Sequence, residues 1–175
     1  MRTPVVRLVT ASTVVLFLAS CESKGFVVPA ADLTPPTAVW LQIDRPGQPL
    51  LNADATSAST PAHAAPGQAM QITARADDPD GGIQDVQIYV EEDTWVTNPD
   101  GTLSHSGGLN SSLPTASAPS QAKVGESAST SGRVTYALTP PPAGASVKRR
   151  YVVRAKALNF HGGATETQRL TVEVP

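Results

Sequence analysis

The chain has 175 residues, 13 Lys and Arg against 15 Asp and Glu, a formal charge of −2, 16 prolines, 13 glycines and one cysteine. Nucleic acid is excluded as a partner on this balance: binding DNA or RNA needs a concentrated basic surface, and the one local cluster is Lys148-Arg149-Arg150. A single cysteine also excludes an internal disulfide, so burial alone must hold any fold together.

At the amino terminus, Arg2 and Arg7, an apolar run from Leu8 to Leu18 and small residues before Cys21 are the parts of a bacterial secretory signal. The run is about half the roughly 20 residues that a spanning helix requires, and Thr10, Ser12 and Thr13 interrupt it. Leu18-Ala19-Ser20-Cys21 resembles the lipobox of bacterial lipoproteins. The resemblance implies cleavage between Ser20 and Cys21, diacylglycerol on the Cys21 sulfur and acylation of the new amino terminus. Each buried acyl methylene contributes about 0.8 kcal/mol, so two or three chains hold firmly where one holds marginally. Glu22, where Asp is associated with inner-membrane retention, favours the outer membrane if the host has two.

Residues 1–20 are therefore expected to be a signal peptide, residues 21–37 a lipidated cysteine with a flexible tether, and residues 38–175 one domain. Loss of Arg2 and Arg7 with the signal leaves a formal charge of about −4. Pro29, Pro35 and Pro36 mark the tether, which at about 3.3 to 3.6 Å per residue could lift the domain at most roughly 50 to 60 Å from the lipid.

From Thr37 the pattern has period two. Val39, Leu41 and Ile43 alternate with Trp40, Gln42 and Asp44, which predicts a half-buried strand ended by Arg45-Pro46-Gly47. Residues 48–69, rich in Ala, Ser, Thr and Pro, read as a loop with room for a short edge strand at Leu50-Leu51. The next strand places Met70, Ile72, Ala74 and Ala76 on one face and Gln71, Thr73, Arg75 and Asp77 on the other. Asp78-Pro79-Asp80-Gly81-Gly82 is strong turn chemistry and predicts a hairpin into Val86, Ile88 and Val90. Residues 94–97 read as a further short strand before the Asn98-Pro99-Asp100-Gly101 turn.

Residues 103–132 hold nine serines, and Leu103, Leu109 and Leu113 fit neither a helical nor a strand period. A low-complexity loop of that length is either functional or a mobile spacer, and the scarcity of apolar anchors favours the spacer. Strand pattern resumes with Val134, Tyr136 and Leu138, then with Tyr151, Val153, Ala155 and Ala157. After a turn at residues 159–163, Leu170, Val172 and Val174 close the chain. About seven strands between turn signals, with no helical stripe, predict an all-β antiparallel sandwich.

The segment from Ala74 to Tyr89 resembles the B-strand, turn and C-strand of bacterial immunoglobulin-like domains of the cadherin and PKD type. Tyr151–Ala157 with Asn159 and Gly162-Gly163 is similar to their F-strand and F–G turn, and residues 167–174 to their G-strand. The resemblance covers roughly 50 residues at the two ends of the domain, and residues 103–132 depart from it. It implies an immunoglobulin-like fold used for adhesion, spacing or ligand presentation, and it carries no catalytic residue.

Asp77, Asp78 and Asp80 are the candidate metal ligands, with calcium as the ion that collects several oxygens at one turn. Two adjacent carboxylates and a third one position apart do not follow the alternating ligands of an EF-hand, and a structural β-turn is the favoured reading. Convergence of the Asn98–Gly101 turn on the same ion would require that loop to lie at the same end of the domain. Otherwise no cofactor is implied. Ser120-Gln121-Ala122-Lys123 matches the Ser-x-x-Lys nucleophile pattern by chance, lacking a helix and partner motifs. His63, His105 and His161 have no zinc spacing.

Trp40 falls on the polar face of its strand and Trp95 near the end of another, so each is either cover for a sheet edge or a platform for sugar or protein. Lys148, Arg149, Arg150, Arg154 and Lys156 line up as either a solvated face or a basic strip for an anionic envelope component. The resulting expectation is a lipid-anchored envelope protein with a non-catalytic binding or spacer module. Its partners would be the membrane, through lipid on Cys21, and an envelope protein or polysaccharide. The alternatives are an accessory subunit of a larger envelope complex and, behind it, a hydrolytic enzyme.

Overall fold

The computed structural model describes residues 26–31, 34–110, 112–142 and 147–175. Among these residues the chain is all-β, without a helix. One sheet has four strands: β2 (Ala38–Asp44), β3 (Leu51–Asp54), β5 (Met70–Asp77) and β10 (Ser131–Leu138), in the order β10-β5-β2-β3. The other is built on two long strands, β6 (Ile83–Thr97) and β11 (Val147–Asn159), flanked by β7 (Leu103–Leu109) and β13 (Leu170–Val174). Short segments complete it: β4 (Ala62–His63) beside β13, β8 (Ala116–Ser117) beside β6, and β12 (Ala164–Glu166) beside β11. All pairings are antiparallel except β4 with β13.

The inner faces of the two sheets form one core. Val39, Leu41, Ile43, Met70, Ile72, Ala74, Ala76 and Val134 from the first sheet join Val86, Ile88, Tyr151, Val153, Ala155, Ala157, Leu170 and Val172 from the second. The period-two pattern thus decides which face is buried, as it must when one side of an antiparallel sheet is wet. Where the parity slips, a bulge accounts for it. Leu158 pairs with Asp85 but Asn159 with Ile83, so Gln84 is skipped and both Ile83 and Val86 turn inward.

Four expectations are corrected. The Asp78–Gly82 turn does not close a hairpin, because β5 and β6 belong to different sheets. Beside the bond from Gly82 N–H to Asp78 O inside the turn, its flanking backbone groups bond to the neighbouring segment, Asp78 N–H to Thr130 O and Ile83 N–H to Ser129 O. Turn chemistry is the same for a hairpin and for a crossover, and only the partner of each strand separates them. Residues 94–97 are not a separate strand but the end of β6.

Residues 103–132 are not structureless: β7 pairs with β6 from Thr97↔Leu103 to Glu92↔Leu109, and Ala116–Ser117 and Ser127–Ala128 (β9) also pair. Every residue of β7 is exposed, so backbone bonding forms the strand and leaves no apolar period to read.

Residues 26–37, expected as part of a tether, lie against the domain where the structure describes them. Phe26–Val27 (β1) pairs with β9, and Val28 is 1% exposed. Val28 N–H donates to Glu126 O at 3.0 Å, and Gly125 N–H donates to Val28 O at 3.0 Å.

Candidate functional site

Cys21 and the signal segment 1–20 lie outside the described residues. What the structure does place is the chain that follows them, from Phe26 onward. The β5–β6 turn and the turn after β11 meet this segment at one end of the domain. Gly82, at φ +70, sits under Phe26, Ala128 and Phe160, and the positive φ explains why glycine stands there.

Asn159 is fully buried. Its Oδ1 accepts from His161 N–H at 3.1 Å and Gly163 N–H at 2.7 Å, and its Nδ2 donates to Thr34 O at 2.6 Å. His161 Nε2 lies 2.9 Å from Pro29 O, and Thr165 Oγ1 donates to Pro36 O at 2.6 Å. The sequence marked Asn159 only as a turn residue; its role as a clamp depends on a partner 125 residues away, for which no local signal exists.

The three aspartates proposed as metal ligands are put to separate uses. Asp78 is fully buried and its Oδ1 accepts from Gly81 N–H at 3.2 Å inside the turn. Asp80 Oδ2 accepts from Thr34 Oγ1 at 3.1 Å, which ties the turn to the N-terminal segment. Asp77 ends β5 on the outer face of its sheet, while its carbonyl accepts from Thr37 Oγ1. Among the described residues no group of three or more His, Cys, Asp or Glu side chains is placed to hold a metal. The Asn98–Gly101 turn cannot contribute, because the 15 residues of β6 separate the two turns by about 46 Å.

Four of the five cations on β11, all but Lys148, are paired with carboxylates. Across the β6–β11 ladder Arg149 Nε lies 3.1 Å from Glu92, and Arg150 Nη2 lies 2.6 Å from Asp93. Arg154 and Lys156 share Glu166 on β12 at 3.1 and 3.6 Å. Arg150 also lies over the Trp95 ring, 5.1 Å from its centroid, and His105 packs edge-on against the same ring. The hydrogen bond from Arg150 holds the Asp93 carboxyl below its ordinary value. Burial, and then the charge of Glu92, push the Tyr151 phenol up. Most of the cations that the sequence groups as a basic strip therefore stand beside carboxylates of β6 and β12.

The other sheet differs. Its outer face carries Trp40, 44% exposed, in a groove of about 650 Å³ with Gln42, Thr73, Arg75, Asp77 and Arg133. Trp40 pairs across the ladder with Arg75, and Arg75 with Arg133, so the three stand in one row. At the far end of that row Asp54 is occupied by its own turn, accepting from Thr56 and Ser57. These bonds, the Thr56 hydroxyl first, lower its pKa to about 2.

Neither Ser120 nor Lys123 lies on a helix: Ser120 Oγ accepts from Ala122 N–H, and Lys123 N–H donates to Glu126. Among the described residues no helix is long and apolar enough to cross a membrane. No protein-family model and no curated protein matches the chain.

Proposed function

We propose that the chain is a lipid-anchored protein of the bacterial envelope whose immunoglobulin-like domain serves as a non-catalytic binding or spacing module held close to the membrane. The observation that carries this reading is the docking of residues 26–31 and 34–37. The first paired residue, Phe26, stands five peptide steps from Cys21, so the lipidated cysteine lies within about 18 Å of the domain. A tether that ends at Phe26 fixes which end of the domain faces the lipid, where a free tether to residue 37 would not.

Strand order supports the immunoglobulin-like part. β2, β5 and β10 correspond to strands A, B and E, and β6, β11 and β13 to C, F and G, with β7 beside C. A short segment running parallel to the last strand, as β4 does beside β13, fits the same arrangement.

A second reading, an accessory subunit of a larger envelope complex, draws on β7. It is an outermost strand without Lys, Arg, Asp, Glu or Pro, and Leu103 and Leu109 on it are more than half exposed. Such an edge is a template for pairing with another chain.

Mass analysis of the mature amino terminus tests the anchor. An acylated Cys21 is expected, with Cys21→Ser moving the protein from the membrane to the soluble fraction. A mature terminus elsewhere, or a Cys21→Ser protein still in the membrane fraction, would refute the anchor.

A further inference from the structure

We infer that the outer face of the four-stranded sheet binds an anionic saccharide, with a sugar ring on Trp40 and its acidic group at Arg75 and Arg133. This deepens the binding reading above, on which it rests, by naming the ligand. The argument begins with charge. Arg75 and Arg133 are direct cross-strand partners, an arrangement that like charges destabilise. Among the described residues no carboxylate lies within ion-pair distance of either, whereas Arg149, Arg150, Arg154 and Arg169 each have one. The carboxylate at the end of their row, Asp54, is held by Thr56 and Ser57.

Two arginines without an ion pair, on adjacent strands whose backbones run about 4.8 Å apart, suit a planar carboxylate or a phosphate, which arginine binds through paired N–H donors.

Beside them, the exposed face of Trp40 offers an apolar surface to the C–H side of a sugar ring. Gln42, Thr73 and Asp77 supply donors and acceptors for hydroxyl groups around it, and Thr73, 7% exposed, forms the floor. A few converging polar groups around an aromatic platform, in a cleft of this size, are what a small-ligand site requires. The opposite face of the domain also carries cations and an aromatic ring, but there Asp93 and Glu166 lie within ion-pair distance of Arg150, Arg154 and Lys156, and Lys148 alone of that strip has no carboxylate partner among the described residues.

The test is calorimetry and tryptophan fluorescence on the full chain in detergent. Its probes are a galacturonic acid trisaccharide, a sugar phosphate, a neutral glucose trisaccharide and a poly-glutamate peptide. At least one anionic sugar should saturate the protein with a dissociation constant of about 1 mM or tighter, and the two anionic arms distinguish carboxylate from phosphate. Trp40→Ala, Arg75→Gln and Arg133→Gln should each weaken binding about tenfold or more, while Arg154→Gln on the opposite face leaves it unchanged. The arginine variants stand as the test should Trp40→Ala lower the thermal midpoint. No saturation with either anionic sugar at about 10 mM, equal binding of the neutral sugar or of the peptide, or unchanged binding by the three variants would overturn the inference. Cys21→Ser fractionation is independent of these outcomes, so failure here would leave an anchored spacer standing.

Discussion

Asn159→Ala should unfasten the N-terminal segment from the domain. The side chain is fully buried and makes at least three hydrogen bonds, accepting from His161 N–H and Gly163 N–H and donating to Thr34 O. Each contributes about 1 kcal/mol net, so the variant should lose about 3 kcal/mol, close to two decades in the unfolding equilibrium. The backbone bond from Asn159 N–H to Gly163 O survives the change, which keeps the turn closed but no longer braced.

His161, which reaches Pro29, then loses the anchor of its own N–H, and the 26–37 segment is weakened at two places at once. Urea unfolding of the full chain measures the total. Hydrogen exchange at Val28 and Gly125, whose amides bond across the clamp, measures the local release, and both should exchange at least about tenfold faster than the global loss alone predicts. A fall in overall stability with no excess exchange at these two amides would refute the reasoning: Asn159 would then brace its turn without holding the segment.

Gly132→Val tests a close approach between the sheets, because a Cβ there would lie 2.6 Å from Val86 Cγ2 and 2.8 Å from Ile83 Cγ2. The overpacked protein should be destabilised by about 1 to 3 kcal/mol in urea, and an unchanged midpoint would show that the sheets can part at that point. Ala155→Leu, at a fully buried position, should cost a similar amount, read as a lower thermal midpoint with unchanged far-ultraviolet circular dichroism. Asp54 has its folded pKa below the ordinary value of 3.8, at about 2, so the fold favours its ionised form. Its contribution is complete above pH 3.8 and is lost as pH falls toward 2, and Asp54→Asn should flatten the urea midpoint across that window.

The core was legible because burial writes itself into alternation. Val39, Leu41 and Ile43, or Tyr151, Val153 and Ala155, could face inward only together. The partners of strands were not legible, since Asp78–Gly82 serves a crossover with the same residues that would serve a hairpin. β7 left no trace because a strand held by backbone bonds alone has no buried face. At the candidate binding surface, parity put Trp40, Arg75 and Asp77 on polar faces, but their alignment with Arg133 is a matter of register, set between strands roughly 60 residues apart in sequence. The basic appearance of Lys148 to Lys156 was misleading for the same reason: its counter-charges sit on β6 and β12, and only pairing brings them alongside.

Register also relates the two proposals to each other. β2 begins at Ala38, where the clamped segment ends, and Trp40 lies about 7 Å further along the strand. With Phe26 within about 18 Å of Cys21, lipid on that cysteine would place the Trp40 row in the half of the domain nearest the membrane. The β6–β7 turn would lie about 46 Å from the clamped end, with the exposed edge of β7 running back from it. A ligand of the Trp40 face would then be a saccharide borne near the membrane surface, and a protein partner would meet the outward edge. Lengthening the chain between Cys21 and Phe26 should leave saccharide affinity in detergent unchanged but weaken capture by a saccharide fixed at the bilayer surface. Equal capture by both forms would mean that the clamp sets no distance that matters for binding.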